Sequence, residues 1–93
     1  MGYKLPLLKP GEVCHNLENL GFRFKRQDGS HAQYERPADG VMIRRVVTVD
    51  MAKRNGFSRD LMKSMIRQSG FSAEEFCTGM AVKTAAQVPQ ANN

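Results

Sequence analysis

No set of His, Cys, Asp and Glu in this chain falls at metal-ligand spacing, so neither a bound metal nor another cofactor is expected. No apolar run approaches the roughly 18 residues that a membrane span needs. The apolar part of Met1-Gly2-Tyr3-Lys4-Leu5-Pro6-Leu7-Leu8 is too short for a secretory signal and carries no cleavage pattern. There are two cysteines, Cys14 and Cys77, far apart and outside any C-x-x-C pair. One disulfide between them is conceivable, but two ordinary buried thiols fit better, and that favours a cytoplasmic protein without a membrane partner. Internal repeats are absent, and 93 residues suit one small domain.

What the chain has is positive charge, net +5. Between Arg23 and Arg67 there are eleven Lys and Arg against five acids, so the excess sits in the middle of the chain. Such concentration points to a phosphate-binding face rather than to general solubility. The same segment holds Asp28-Gly29-Ser30-His31, a turn signal followed by an imidazole. Imidazole both takes and gives a proton near neutral pH. A histidine at a hairpin end in a basic protein suggests proton transfer on a nucleic acid. His15, off the Val13/Leu17 stripe, reads as an exposed bystander.

The elements follow from local chemistry. A first helix is predicted from Pro10, which suits the first helical position, to Leu20, with Val13, Leu17 and Leu20 at helical spacing. Lys9 stands at its N-cap, Leu8 and Val13 can staple its start, and Gly21 ends it in a left-handed conformation. Phe22–Gln27 alternates as a strand, Asp28-Gly29 turns, and Ser30–Arg36 returns. Pro37-Ala38-Asp39-Gly40 turns again, and Val41–Asp50 holds a third strand, densest in β-branched residues at Val46-Val47-Thr48-Val49. Ser58 caps a second helix whose buried stripe is Leu61, Met62, Met65 and Ile66, and Gly70 stops it. Ser72-Ala73-Glu74-Glu75 has capping-box spacing and opens a short third helix carrying Phe76. The predicted domain spans residues 1–79, and residues 80–93 read as a disordered tail.

Two geometries are open at the first hairpin. A two-residue Asp28-Gly29 loop pairs Phe24 with Gln33 and Arg26 with His31. A three- or four-residue loop with a glycine bulge instead places Ala32 and Tyr34 with Phe22 and Phe24 inside and His31 outside. The second is preferred because it leaves the imidazole reachable. The expected fold is α+β, in the order α-β-β-β-α. A three-stranded antiparallel sheet is covered on one face by two helices and followed by a short C-terminal helix, the architecture of a double-stranded-RNA-binding domain. The core is expected to hold Val13, Leu17, Phe22, Phe24, Leu61, Met65 and Ile66.

Three stretches together carry a family resemblance: Leu17-Glu18-Asn19-Leu20-Gly21-Phe22; Arg26-Gln27-Asp28-Gly29-Ser30-His31; and Ser58 through Ser72 with Glu74-Glu75-Phe76. From about Lys9 to Phe76 the chain resembles the HicA/YcfA-like family of toxin–antitoxin mRNA interferases. The resemblance implies a small endoribonuclease toxin in which His31 is catalytic and Gly29 matches the motif glycine. It also implies a HicB-like antitoxin that covers the active site. One departure is that Val49-Asp50-Met51-Ala52 lacks the Pro and second His that many members carry after the third strand.

On this reading His31 serves as general acid–base in metal-independent cleavage of messenger or other single-stranded RNA. Ser30 supports the turn. Arg26, across the hairpin if the loop has two residues, binds the scissile phosphate. Lys25, Arg59 and Lys63 anchor neighbouring phosphates, helped by N–H groups at the start of the second helix. Two other readings are a non-catalytic RNA-binding module of the same fold and a protein-interaction subunit whose basic face meets an acidic partner.

Overall fold

The computed structural model describes residues Tyr3–Ala81. Six elements follow in order: α1 (Pro10–Asn19), β1 (Arg23–Asp28), β2 (His31–Arg36), β3 (Arg45–Asp50), α2 (Arg59–Ser69) and α3 (Ala73–Thr78). They form the expected α-β-β-β-α order with its short trailing helix. The tail expected from Met80 lies, from residue 82 on, outside the described residues.

Local sequence sets the helix ends. Glu12 accepts from the Lys9 N–H at 2.8 Å, and Pro10 occupies the first turn of α1. At the other end the Phe22 N–H reaches the Leu17 carbonyl at 2.9 Å and the Gly21 N–H reaches Glu18 at 3.1 Å. That double closure is a Schellman motif and needs the left-handed φ of +97° at Gly21. Its hydrophobic partners, Leu17 and Phe22, are both buried. In α2 the Ser58 hydroxyl accepts from the Leu61 N–H at 3.2 Å. In α3 Ser72 and Glu75 exchange both bonds of a capping box, at 3.0 and 3.2 Å.

The sheet is antiparallel in the order β1-β2-β3, with β2 central. The core joins Val13 and Leu17 of α1, Ala32 and Tyr34 of β2, Val47 and Val49 of β3, Met62 and Met65 of α2, Phe76 of α3, and Phe22 and Phe57 from the connections. Buried Asn16 donates to the Phe76 and Cys77 carbonyls at 3.2 and 3.0 Å, which ties α1 to the end of α3. Both cysteines are free thiols.

Several expectations need correction. Phe24 and Leu61 are 54% and 38% exposed, and Ile66 is partly buried at the core's margin. The buried line of α2 runs through Met62, Met65 and Ser69, which puts Leu61 and Ile66 on opposite flanks. Phe24 leaves the core because β1 lies beyond the helices, and its ring packs edge-on against Tyr34, centroids 5.8 Å apart. The third strand starts at Arg45. Before it, Val41 and Met42 give their N–H groups to the Asp39 carboxylate, both at 2.7 Å, so this stretch closes a turn instead of a ladder.

The hairpin loop matches neither of the two expected geometries. Asp28 pairs with His31, so the loop is Gly29-Ser30. Gly29 has φ +59° and Ser30 does not have positive φ, the pattern of a type II′ turn. The register shift falls inside β1, between Phe24 and Arg26. The preferred parity holds all the same: Ala32 and Tyr34 are buried and His31 is exposed.

Candidate functional site

His31 opens the central strand, so both neighbours fix its backbone. It pairs with Asp28 on one side and Asp50 on the other. Directly opposed residues of an antiparallel pair project to the same face. The imidazole Nε2 accordingly lies 3.9 Å from Asp50 Oδ2, with the His31 side chain 60% exposed. Asp50 is itself held: its Oδ1 accepts from the Ala52 N–H at 3.0 Å, and the Ser30 side chain lies close to the carboxylate. The Ala52 N–H above all, then Ser30, His31 and Lys53, keep this carboxyl below the usual aspartate range against the opposing effect of desolvation. Ser30 thus does more than support its turn. Its carbonyl also accepts from the Met51 N–H at 2.7 Å, which locks the hairpin loop to the end of β3.

Where the free edge of β3 meets α2 there is a cleft of about 330 Å³. His31, Asp50 and Lys53 line it together with Thr48, Ser64 and Gln68 and with the buried Phe57 and Met65. Gln68 Oε1 accepts from the Thr48 N–H at 3.2 Å, so the edge strand is pinned to the helix across the cleft. Leu61, expected in the core, forms an apolar wall here. The cleft therefore sets an imidazole, a fixed carboxylate and an ammonium within one small volume. That is a donor–acceptor set suited to moving a proton beside a phosphate.

The cations named from sequence lie elsewhere. Arg26 pairs with Gln33, not with His31, and its Nε lies 3.6 Å from Asp28. Lys25 Nζ is 3.8 Å from Glu35, which Arg44 also engages, and chiefly through Arg44 the Glu35 carboxyl is held below its ordinary range. Arg59 and Lys63 line a second groove of about 380 Å³ with Arg67, Tyr3, Leu5 and Ile66, on the flank of α2 turned away from His31. Gly29 has open space at its Cβ position, so the turn needs its φ rather than its small size.

Asp50, Lys53, Ser64 and Gln68 do not stand out in the sequence as site residues. Asp50 reads as a strand end and Gln68 as an exposed helix residue. Only the β2–β3 register and the docking of α2 bring them to His31. The one sequence signal is the short Asp50–Lys53 spacing after a strand, which alone has many meanings.

Among the described residues no helix is long and apolar enough to cross a membrane. A comparison with curated proteins finds no match. The sequence model described as HicA toxin of bacterial toxin–antitoxin matches residues 11–71. That match runs from the start of α1 to just past α2 and includes the hairpin, the cleft and Asp50. The chain belongs to the family of HicA toxins of bacterial toxin–antitoxin systems.

Proposed function

We propose that this toxin is a metal-independent endoribonuclease acting on messenger RNA, with His31 as its general acid–base, and that a HicB-like antitoxin restrains it by covering the cleft. The observation that carries the reading is an exposed imidazole that lines the β3–α2 cleft, facing a fixed carboxylate and sharing the cleft with Lys53. His31 removes the proton of a ribose 2′-hydroxyl. The 2′-oxygen bonds to the adjacent phosphorus as the bond to the 5′-oxygen breaks. The leaving oxygen takes a proton from the imidazolium or from water, and the product is a 2′,3′-cyclic phosphate. Lys53 offsets charge gathering on the phosphorane oxygens. Asp50 faces, across 3.9 Å, the imidazolium formed in the first step. One imidazole supplies about two to four orders of magnitude in rate. Gly29 and Ser30 hold the loop that presents it. Lys25 and Arg26 on β1, and Arg59 and Lys63 on α2, bind the RNA backbone away from the scissile phosphate.

His31→Ala tests this directly. The position is exposed, so the fold should persist, with a stability change within about 0.5 kcal/mol. RNA cleavage and growth arrest should cease. The parent should cleave in the presence of a chelator, yield cyclic phosphate ends, and leave a 2′-deoxy scissile site intact. Undiminished cleavage by the purified His31→Ala protein would overturn the reading. RNA binding without any cleavage by the parent would leave an RNA-binding module instead.

A further inference from the structure

The two clefts beside α2 are not independent. The His31 cleft uses Ser64 and Gln68, and the second groove uses Arg59, Lys63 and Arg67. At 3.6 residues per turn these sets occupy opposite flanks of one helix, and Ser64 and Arg67 are neighbours across its solvent side. The helix bridging them is about 10–12 Å thick with its side chains, a span that an extended RNA strand crosses in a few nucleotides.

Arg59, Lys63 and Arg67 repeat every fourth residue on one side of α2. Like charges at that spacing repel. No carboxylate among the described residues lies within 4.0 Å of any of them. This contrasts with Lys25, Arg26, Arg36 and Arg44, each of which faces an acid. Tyr3, 44% exposed, lines the same groove, and an exposed aromatic ring is a group on which a base can stack. Unpaired cations beside an exposed aromatic ring are the elements of a single-strand binding groove. Asp60 is the acid on the solvent side of α2, in its first turn, so the anionic strand has a favourable crossing nearer the C-terminal half, over Ser64 and Arg67.

We infer that the groove of Arg59, Lys63, Arg67 and Tyr3 is an anchoring subsite for the same single-stranded RNA whose scissile phosphate lies at His31, with the strand crossing α2 over Ser64 and Arg67. This rests on the ribonuclease reading above and adds a substrate length to it. Short RNA fills the His31 cleft alone, whereas longer RNA gains the anchor.

The test uses the full chain and non-cleavable 2′-deoxy-substituted oligonucleotides, from a dinucleotide to about eight nucleotides. Affinity should rise in a step, about tenfold or more, once the oligonucleotide spans both clefts. Lys63→Gln/Arg67→Gln should abolish the step, leaving long and short oligonucleotides with similar affinity. It should also flatten the salt dependence, by about 0.7 in log–log slope for each phosphate that is no longer neutralised. Lys63→Glu/Arg67→Glu should do the same more strongly, and because all these positions are exposed the melting curves report whether either variant is folded. A smooth rise with length, or a step that survives both folded variants, overturns the anchor. If that happens while the parent still cleaves and His31→Ala does not, the ribonuclease reading stands alone. If the parent neither binds nor cleaves RNA, both fall, and the stripe becomes a face for an acidic protein.

Discussion

β1 and β3 are both six-residue edge strands of one sheet, yet every residue of β1 is exposed while β3 buries Val47 and Val49 completely. The difference lies in what stands beyond each edge. α2 packs on β3, and Gln68 occupies an outward N–H of that strand. β1 packs chiefly on β2, and it guards its free edge with a register shift and with Arg23, Lys25 and Arg26. The histidine is set on the docked side. There the core fixes both strands that position it, and a 3.9 Å approach to Asp50 can be maintained. The free edge keeps cations held only by exposed ion pairs, which suits adjustable binding to a polymer.

The largest effect that would break this contrast is in stability. Phe57, which lines the cleft, is 2% exposed, whereas Phe24 on β1 is 54% exposed. Phe57→Ala should cost about 3–5 kcal/mol in denaturant unfolding, enough to threaten a domain this small. Phe24→Ala removes one edge-on ring pairing with Tyr34 and should cost about 0.5–1.5 kcal/mol. Equal losses would mean that β1 is docked after all.

A smaller effect separates two left-handed glycines. Gly29 in the hairpin loop and Gly70 at the end of α2 have φ of +59° and +77°. Alanine at either costs about 1–2 kcal/mol for the backbone alone. At Gly70 its Cβ also falls 2.9 Å from Nε of Arg45, the first residue of β3, whereas at Gly29 it meets nothing. Gly70→Ala should therefore lower the melting temperature more than Gly29→Ala. Removing the Arg45 side chain as well should recover the excess in a double-mutant cycle.

The smallest effect is acid sensitivity. Glu35 and Asp50 both titrate below their ordinary range in the folded chain. Each therefore adds stability above about pH 4, where the unfolded carboxyl is already ionised. That contribution is lost as pH falls through the lower folded value. Glu35→Gln and Asp50→Asn should each flatten the fall in melting temperature between about pH 5 and pH 3. Glu35 owes its shift first to Arg44, an exposed pairing that salt screens. Asp50 owes its shift first to the Ala52 N–H. High salt should therefore erase the Glu35 contribution and spare that of Asp50.

Local chemistry alone determined the order of elements and most of their ends. Pro10, Gly21, Ser58, Gly70 and the Ser72/Glu75 box act within one turn of helix, and the hairpin needs only a residue that tolerates positive φ at Gly29. His31 was likewise legible, because a turn followed by an imidazole is a contiguous pattern. Tertiary structure decided what His31 faces. Asp50 comes opposite it through a ladder closed across the Pro37–Arg44 connection, whose shape depends on Asp39 bonding two N–H groups ahead of it. Periodicity placed Leu61 and Ile66 in the core because it marks an apolar side of α2 but not how far burial extends around it. Docking against β3 chose the Met62, Met65 and Ser69 line, turned Leu61, Ser64 and Gln68 to the cleft, and sent Arg59 and Lys63 to the far flank. A helix carries its pattern in its sequence, but its rotation about its own axis is fixed only by the surface it packs on.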